Sequence, residues 1–372
     1  FHNFEEIAHK MFTILAHPYD SVSKEVSAIL FDVLYYESTD CIDTFDQFMA
    51  EVKKDQTGLG HIEHKKNVLF IEHLKLFMSK TLELAKENEG KTPQEIVNSD
   101  FMFHIKGLST LLLRILKTSM NTTIVDFICP YILPLALELD KVKDACKLAE
   151  ISVDALFLIL GSIRFSDAQN EEIINLLETN LGWNTPKLTQ YKHILAFFGV
   201  YGTVRFLERT SGQRKKLMEI TSSMLFNQHL YLREQYSYNI KLFIHLFLDS
   251  EREEVINFYI KKFKKIIRKN RQEKDIKLTV EQTNLVHGAT LGLCALVEAY
   301  PYTTPPPKWL PEVLTILEVK CTGYSGIVSR AAKDTLSQFK KTRQDTWHID
   351  SKFFTEEQLE DLEGVLYKSY YL

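Results

Sequence analysis

Glycine and proline are both scarce in this sequence, which has 14 glycines and 10 prolines among 372 residues. These counts are about half of the usual frequencies of roughly 7% and 5%. Strands joined by tight turns depend on both residues, so their scarcity favours a mostly helical chain. No segment alternates between apolar and polar residues for long enough to require a strand.

Cysteine is also sparse, and the sequence contains no C-x-x-C motif. The odd number and wide spacing of the cysteines argue against a disulfide framework and favour buried thiols in a reducing compartment. The five positions are Cys41, Cys129, Cys146, Cys294 and Cys321.

An excess of positive charge is absent: 45 Lys and Arg face 49 Asp and Glu, a formal net charge of -4. This balance excludes a globally basic nucleic-acid binder, so no direct nucleic-acid binding is expected, although a local basic patch is compatible with it. The longest apolar runs, such as 151–163, are interrupted and shorter than the ~20 residues that span a bilayer, so no membrane association is expected. The chain opens at Phe1 on an amphipathic segment without a signal sequence, which we interpret as a piece of a longer or processed polypeptide.

Apolar residues recur at spacings of three and four almost throughout the chain, the period of an amphipathic helix. Breaks interrupt the pattern about every 15 to 20 residues, as expected of helix pairs in a helical-repeat array. The sequence therefore predicts an all-α fold, a HEAT/armadillo-like α-solenoid of degenerate helix pairs, with roughly eight pairs at about 45 residues each. The predicted breaks are 55–60, 87–93, 119–122, 164–169, 179–186, 210–213, 300–307 and 323–326.

Motifs for catalysis and for phosphate or metal binding are missing or incomplete. No nucleophile elbow, P-loop or G-x-G-x-x-G sequence is present, so neither an enzyme nor a required cofactor is expected. His61 and His64 have a spacing that permits a shared metal, with His73 downstream, but no cysteine or acidic cluster completes a site. We interpret them as ordinary surface histidines.

One segment, 261–277, concentrates positive charge, with nine basic and two acidic residues, a net charge of +7. Its first half keeps a helical apolar stripe. Two interpretations stay open: a solvated helix face whose lysine stems cover the core, or a site for a polyanion such as a nucleic acid, an inositol phosphate or an acidic protein face. The candidate polyanion-binding residues are Lys261, Lys262, Lys264, Lys265, Arg268, Lys269 and Arg271.

The C-terminal residues combine an acidic helix with an apolar end. Thr355 and Gln358 predict a capping box at the start of an acidic amphipathic helix over 354–363. The chain then ends in Tyr370-Tyr371-Leu372, side chains that are each worth roughly 1.5–3 kcal/mol when buried. The tail therefore either packs back on its own chain or enters a pocket of a partner, where its carboxylate adds a negative charge.

Several motifs of the last ninety residues resemble one family, the large single-chain HEAT-repeat proteasome activators known as proteasome activator complex subunit 4, with fungal and plant relatives. The resemblance covers residues 283–372, whereas 1–282 match only as degenerate HEAT-like repeats, so we predict a boundary between 282 and 283. The motifs are VHGATLGLCALVEAYPY (286–302), WLPEVL (309–314), TLSQFKKTRQDTW (335–347), FTEEQLEDL (354–362) and the terminal YYL.

The resemblance implies a non-ATPase activator that caps the 20S proteasome core particle. A hydrophobic-tyrosine-any motif would dock between subunits of the outer (alpha) ring and promote gate opening, with Tyr370 as the hydrophobic position, Tyr371 as the tyrosine and Leu372 as the terminal residue. The final leucine departs from the small residue seen in relatives. The resemblance also implies a location in nucleus and cytoplasm.

Two further family activities have no matching motif here: binding of inositol polyphosphates and recognition of acetylated histones. Asn227, Asn239, Tyr236 and Tyr238 offer the residue types of an acetyl-lysine site, but we interpret them as ordinary helix surface. The alternative function is a HEAT-repeat scaffold or transport adaptor that binds a partner on its concave face, with or without polyanion binding.

Overall fold

The computed structural model describes residues 2–32, 65–118, 130–131, 134–139, 141–149, 154–181, 192–270, 278–324 and 326–366. Within these ranges the chain forms helices joined by turns, and no described residue lies in a β-strand. The prediction of an all-α fold is confirmed. No helix of the described ranges combines the length and the apolar character needed to cross a membrane.

The chain forms two compact units, one of residues 1–169 with 189–201 and one of residues 170–188 with 202–372. The first unit contains helices α1 to α7. Helices α8 and α9 each have residues in both units, because the boundaries 169/170 and 201/202 fall inside them. The bounds of all these helices are α1 His2–Leu15, α2 Asp20–Ile29, α3 Lys65–Glu87, α4 Pro93–Val97, α5 Asp100–Thr118, α6 Lys143–Leu148, α7 Asp154–Ser162, α8 Asp167–Asn180 and α9 Lys192–Thr203.

The second unit contains the basic segment and the region of family resemblance. Its helices are α10 Ser211–Met224, α11 Leu230–Leu246, α12 Asp249–Lys269, α13 Val280–Ala299, α14 Leu310–Ile316, α15 Ile327–Arg343, α16 Trp347–Asp350, α17 Glu356–Asp361 and α18 Glu363–Leu366. A π-helical turn, Leu317–Cys321, continues α14, and short 3₁₀ turns occur at Phe206–Glu208 and Ser351–Phe353.

Helices α11 and α13 of this unit run parallel to each other and in register. Three hydrogen bonds join residues that are each 54 positions apart: Arg233 with His287, Ser237 with Leu291, and His245 with Ala299. The offset stays constant over more than three helical turns. In antiparallel helices it would decrease along the pair, so these two helices run in the same direction. Alternate helices therefore lie side by side, with α12 between them in sequence.

The same relationship repeats in the neighbouring helices. The pairs Cys294–Ala331 and Glu298–Thr335 join α13 to α15 at an offset of 37 residues. Contacts of Arg214 with Glu251, Lys215 with Glu254 and Ser222 with Lys262 join α10 to α12 at offsets of 37 to 40. Parallel alternate helices are the packing of a helical-repeat stack, so the predicted helix pairing is confirmed for this unit, with a variable repeat length.

Helix α13 lies at the centre of the second unit and is apolar on nearly all sides. It packs against α11, α12, α14 and α15. Two of its glycines allow this close packing: Gly288 faces the Leu225 carbonyl and Gly292 faces the Phe263 ring, so that a side chain at either position would overlap its neighbour. The residues of α13 that are buried include Val286, Ala289, Leu293, Cys294, Leu296 and Val297.

The cysteines that the structure describes, Cys146, Cys294 and Cys321, are free and buried, as the sequence predicted for them. Burial raises the pKa of the Cys321 thiol to about 11. Cys41 and Cys129 lie outside the described residues.

Candidate functional site in the C-terminal unit

The predicted capping box at the start of the acidic helix is present. The Thr355 hydroxyl accepts a hydrogen bond from the Gln358 amide at 3.2 Å, and Gln358 Oε1 accepts one from the Thr355 amide at 3.0 Å. These bonds satisfy two of the amides that a helix start leaves unpaired. The helix itself, α17, is shorter than the predicted range and is followed by α18.

Two apolar side chains hold the terminal helices against the unit. Phe354 is buried and lies edge-on to Trp347, with ring centroids 5.2 Å apart, and Leu362 is buried between α17 and α18. Helix α17 packs against α14, and α18 packs against α15. The backbone is thereby fixed up to Leu366. The predicted docking residues Tyr370, Tyr371 and Leu372 lie outside the described residues.

A buried arginine joins the loop before α14 to the helices that lead into this terminal segment. Arg343 donates to the carbonyls of Thr303 and Tyr300 at 2.8 and 3.0 Å, and its Nη1 lies 3.2 Å from Asp350 Oδ2. The Thr346 hydroxyl donates a further bond of 2.7 Å to the same carboxylate oxygen. Four backbone and side-chain groups thus converge at the end of α15.

Helix α12 buries most of its apolar residues on one face, whereas Phe258 is exposed on the side that carries basic residues. Its buried face packs into the unit through Val255, Ile256, Tyr259, Ile260, Phe263 and Ile267. This burial accounts for the apolar stripe of the sequence and leaves the basic residues on the remaining surface.

Two of the predicted polyanion-binding lysines are engaged within the unit. Lys262 donates to Ser222 Oγ at 3.3 Å, and its ammonium lies 5.4 Å from the centroid of the Tyr259 ring. Burial lowers the pKa of Lys262 from its ordinary value. Lys264 forms an ion pair with Glu312 of α14. Lys262 fits the structural interpretation, in which lysine stems cover the core, whereas Lys264 is held in an ion pair at the surface.

Four other predicted residues are exposed and lie on one face of α12. Their positions, i, i+4, i+7 and i+8, place their side chains on one side of the helix, within an arc of about 100°. We refer to Lys261, Lys265, Arg268 and Lys269 as the basic stripe. Arg268 and Lys269 occupy the last turn of α12, where positive charge also complements the helix dipole. Arg271 lies outside the described residues.

We interpreted the four candidate acetyl-lysine residues as ordinary helix surface. This interpretation is wrong for two of them. Asn227 and Tyr236 are buried. Asn227 Oδ1 accepts a hydrogen bond of 2.9 Å from the His229 amide, and its carbonyl accepts one of 2.7 Å from Arg233. Asn227 therefore closes the turn between α10 and α11. Tyr238 is exposed, and Asn239 is partly buried.

Of the three histidines whose spacing was considered for a shared metal, one lies within the described residues. His73 stacks on Phe12 with ring centroids 5.8 Å apart, and His61 and His64 lie outside the described residues. Over the part of the chain that the structure describes, no group of three or more His, Cys, Asp or Glu side chains is arranged to hold a metal ion.

Residues 283–372 match a protein-family model described as "Proteasome activator complex subunit 4-like, C-terminal". These residues run from the first turn of α13 through the Arg343 cluster and the terminal helices. The second unit, an all-α stack of helix pairs, has the architecture of helical-repeat proteins, which include HEAT-repeat proteins.

Curated relatives extend the similarity over nearly the whole chain. Proteasome activator BLM10 of Saccharomyces cerevisiae is 28% identical over 365 residues, 96% of this chain and 16% of the yeast protein. Proteasome activator subunit 4 of Arabidopsis thaliana is 42% identical over 77 residues, 21% of this chain and 4% of the plant protein. Proteasome activator complex subunit 4A of Danio rerio is 25% identical over 239 residues, 61% of this chain and 13% of the fish protein.

These matches support the family of proteasome activator complex subunit 4 and its fungal and plant relatives at the C-terminal portion of the chain, residues 283–372, and the similarity to BLM10 extends over 96% of the chain. The chain spans about a sixth or less of the length of the relatives named above.

Proposed function

We propose that this chain is the C-terminal part of a proteasome activator that binds the outer ring of the 20S core particle. The observation that carries the proposal is the family match over residues 283–372, which ends on the Tyr370-Tyr371-Leu372 sequence. In this proposal the role is regulatory, and the chain itself catalyses no reaction. A location in nucleus and cytoplasm and an association with acetylated histones remain predictions from the family resemblance.

The proposed mechanism assigns a separate task to each tail residue. Tyr370 and Tyr371 enter an apolar pocket between two ring subunits, and the Leu372 carboxylate pairs with a cation in that pocket. The tail opens the gate because it binds the open arrangement of the ring better than the closed one and shifts the population toward it.

The terminal helices support this assignment because they hold the point at which the last six residues begin. Their backbone is anchored up to Leu366 through Leu362 and Phe354, and six residues follow. A six-residue segment extends over at most about 20 Å. A short tether of this kind raises the effective concentration of the tail once the rest of the polypeptide has bound.

The test is capture of purified 20S core particle by the natural polypeptide that contains this chain, with hydrolysis of a fluorogenic peptide recorded on the same samples. Deletion of 370–372 and Tyr371→Ala should both abolish stimulation of hydrolysis. Tyr367→Ala, a change of another tyrosine in the same tail, is the matched control and should retain it. Capture with normal stimulation by both altered proteins would exclude the tail mechanism.

The alternative function, a HEAT-repeat scaffold or transport adaptor, makes the opposite prediction in the same assay. A scaffold whose tail packs on its own chain would not capture the core particle. Its C-terminus would resist carboxypeptidase in the isolated protein, whereas a docking tail should be digested in the free protein and protected in the complex.

A further inference from the structure

We infer that the basic stripe of α12 is a second docking surface, which contacts an acidic area of the core particle beside the pocket that receives the tail. This inference rests on the proposed function and adds a surface that no part of the terminal motif supplies. It assigns a role to Lys261, Lys265, Arg268 and Lys269, which are exposed while Lys262 and Lys264 are engaged within the unit.

The basic stripe ends at the same edge of the unit from which the tail departs. The Tyr324 hydroxyl donates a hydrogen bond of 3.1 Å to the carbonyl of Asn270, the residue directly after Lys269. Tyr324 follows the π-helical turn Leu317–Cys321, which contains Glu318. A methyl group on Gly364 would lie 3.8 Å from Glu318 Oε1, so α18 lies close to the same turn. The end of the basic stripe and the helix that precedes the tail are thus both close to this turn.

The charges along this edge have opposite signs on its two sides. The basic stripe lies on α12, whereas α17 and α18, which precede the tail, carry the carboxylates Glu356, Glu357, Glu360, Asp361 and Glu363. The Lys264–Glu312 ion pair joins α12 to α14, the helix against which α17 packs. A partner that binds across this edge must offer acidic groups to the basic stripe. If the partner bound in the opposite orientation, its acidic groups would face the carboxylates of α17 and α18 and be repelled.

A protein surface can contact both the basic stripe and the acidic helices, whereas a small anion can contact only the basic stripe. Charge complementarity therefore favours a protein as the partner. Exposed charges at the rim of an interface act mainly on association, because they steer the encounter and are screened by salt. The basic stripe is expected to set the association rate, and the tail is expected to set the dissociation rate.

The test measures association and dissociation on immobilised 20S core particle at 50, 150 and 500 mM salt, concentrations chosen to span screening lengths of about 14 to 4 Å. The altered protein is Lys265→Glu/Arg268→Glu. The matched control is Lys333→Glu/Lys352→Glu, which has the same change in charge at exposed lysines of other elements. Tyr371→Ala reports on the tail separately, and thermal melting checks that each protein is folded.

Reversal of the basic stripe should lower the association rate about tenfold at 50 mM salt and by less than about twofold at 500 mM, with little change in dissociation. If it destabilises α12, then Lys265→Gln/Arg268→Gln replaces it, with an expected decrease of about threefold. Rates equal to those of the matched control would overturn the inference while leaving a tail-dependent activator intact. Absence of binding by the unaltered protein would overturn the proposed function and this inference together.

Soluble polyphosphate distinguishes a docking surface for the core particle from a binding site for small anions. If reversal abolished binding of inositol hexakisphosphate but left association with the core particle at the control rate, the basic stripe would be an anion site and the docking inference would be wrong. Full competition between polyphosphate and the core particle, together with the expected loss of association rate, would support a docking surface that anions occupy only in its absence.

Discussion

Arg343 and Asp350 form an ion pair that is almost completely shielded from water, with 2% and 1% of their side chains exposed. The Nη1 to Oδ2 distance is 3.2 Å, and Arg343 also binds the carbonyls of Tyr300 and Thr303. Two buried charges are costly to desolvate, and the hydrogen bonds that Arg343 and Asp350 make offset only part of this cost, since Arg343 Nε and Asp350 Oδ1 have no hydrogen-bond partner among the described residues. Its structural effect is to join the loop before α14 to the helices that lead into the terminal segment.

Replacement of one partner of this pair should destabilise the C-terminal unit strongly. For Arg343→Met we expect a loss of about 3–5 kcal/mol, because Asp350 would remain buried without its cation and two loop carbonyls would lose their donor. Urea unfolding monitored by Trp fluorescence provides the measurement, since Trp309 and Trp347 lie in this unit.

The double replacement Arg343→Met/Asp350→Leu is the control for this prediction. It removes both charges and should be less destabilising than Arg343→Met alone. Equal losses in the two proteins would indicate that packing of the arginine stem, and not the unpaired carboxylate, is responsible.

His287 should make the stability of the unit depend on pH. Its side chain is 2% exposed, and its Nδ1 accepts a hydrogen bond of 3.1 Å from Arg233 Nε, so the ring is neutral. Burial, together with the Arg233 charge, lowers the pKa of His287 to about 4. The unfolded chain binds a proton below the ordinary value of about 6.5, so stability is complete above that pH and falls as the pH decreases toward 4.

The free energy of unfolding should decrease by about 3 kcal/mol because of His287 when the pH falls from about 6.5 to about 4. The measurement compares the melting temperatures of the unaltered protein and His287→Gln between pH 7.5 and 5. Glutamine keeps an acceptor for Arg233 but does not titrate, so its melting temperature should fall less steeply with acid. Parallel curves for the two proteins would contradict a neutral, titrating His287.

Gly288 should not accept a side chain, although it lies inside a helix where alanine is intrinsically better by about 1 kcal/mol. An alanine methyl there would overlap the Leu225 carbonyl, a backbone atom that cannot move aside independently of its turn. We expect Gly288→Ala to destabilise the unit by about 2 kcal/mol or more.

Gly323→Ala is the matched substitution for Gly288→Ala. Gly323 has no atom within 4 Å of the position that a methyl group would occupy. The free energy of unfolding of the Gly323→Ala protein should differ from that of the unaltered protein by less than about 0.5 kcal/mol. Thermal melting of the two altered proteins would separate a packing requirement at Gly288 from a general sensitivity to glycine replacement.

The sequence predicted the helix ends that depend on local chemistry. The Thr355 capping box, a break between Cys321 and Ile327 and the proline-containing break at 300–307 are all present, because the groups that form them are adjacent in the chain. The turns at Asn227 and at 247–248 contain neither glycine nor proline and were missed. The first is closed by Arg233, which binds the Asn227 carbonyl from the next helix, a contact that no local pattern indicates.

The candidate site was predictable only in part for the same reason. Sequence spacing placed the basic residues of α12 correctly on a helix, but it could not distinguish Lys262 and Lys264 from the rest. Their partners, Ser222 and Glu312, are 40 and 48 positions away. The buried pair of Arg343 with Asp350 also escaped notice, although it is only seven positions apart, because charged residues at that spacing are usually exposed.

The burial of α13 on nearly all sides sets a limit on how this protein can be divided. Residue 283, where the family match begins, lies in the first turn of that helix, four positions after Thr279, which caps it. A fragment cut there would lose the cap and expose to water the apolar surface that now meets α11 and α12. Such a fragment should aggregate, whereas one beginning at residue 202 would keep the neighbours of α13. The segment that matches the family model is therefore shorter than the segment that keeps the packing around α13 intact.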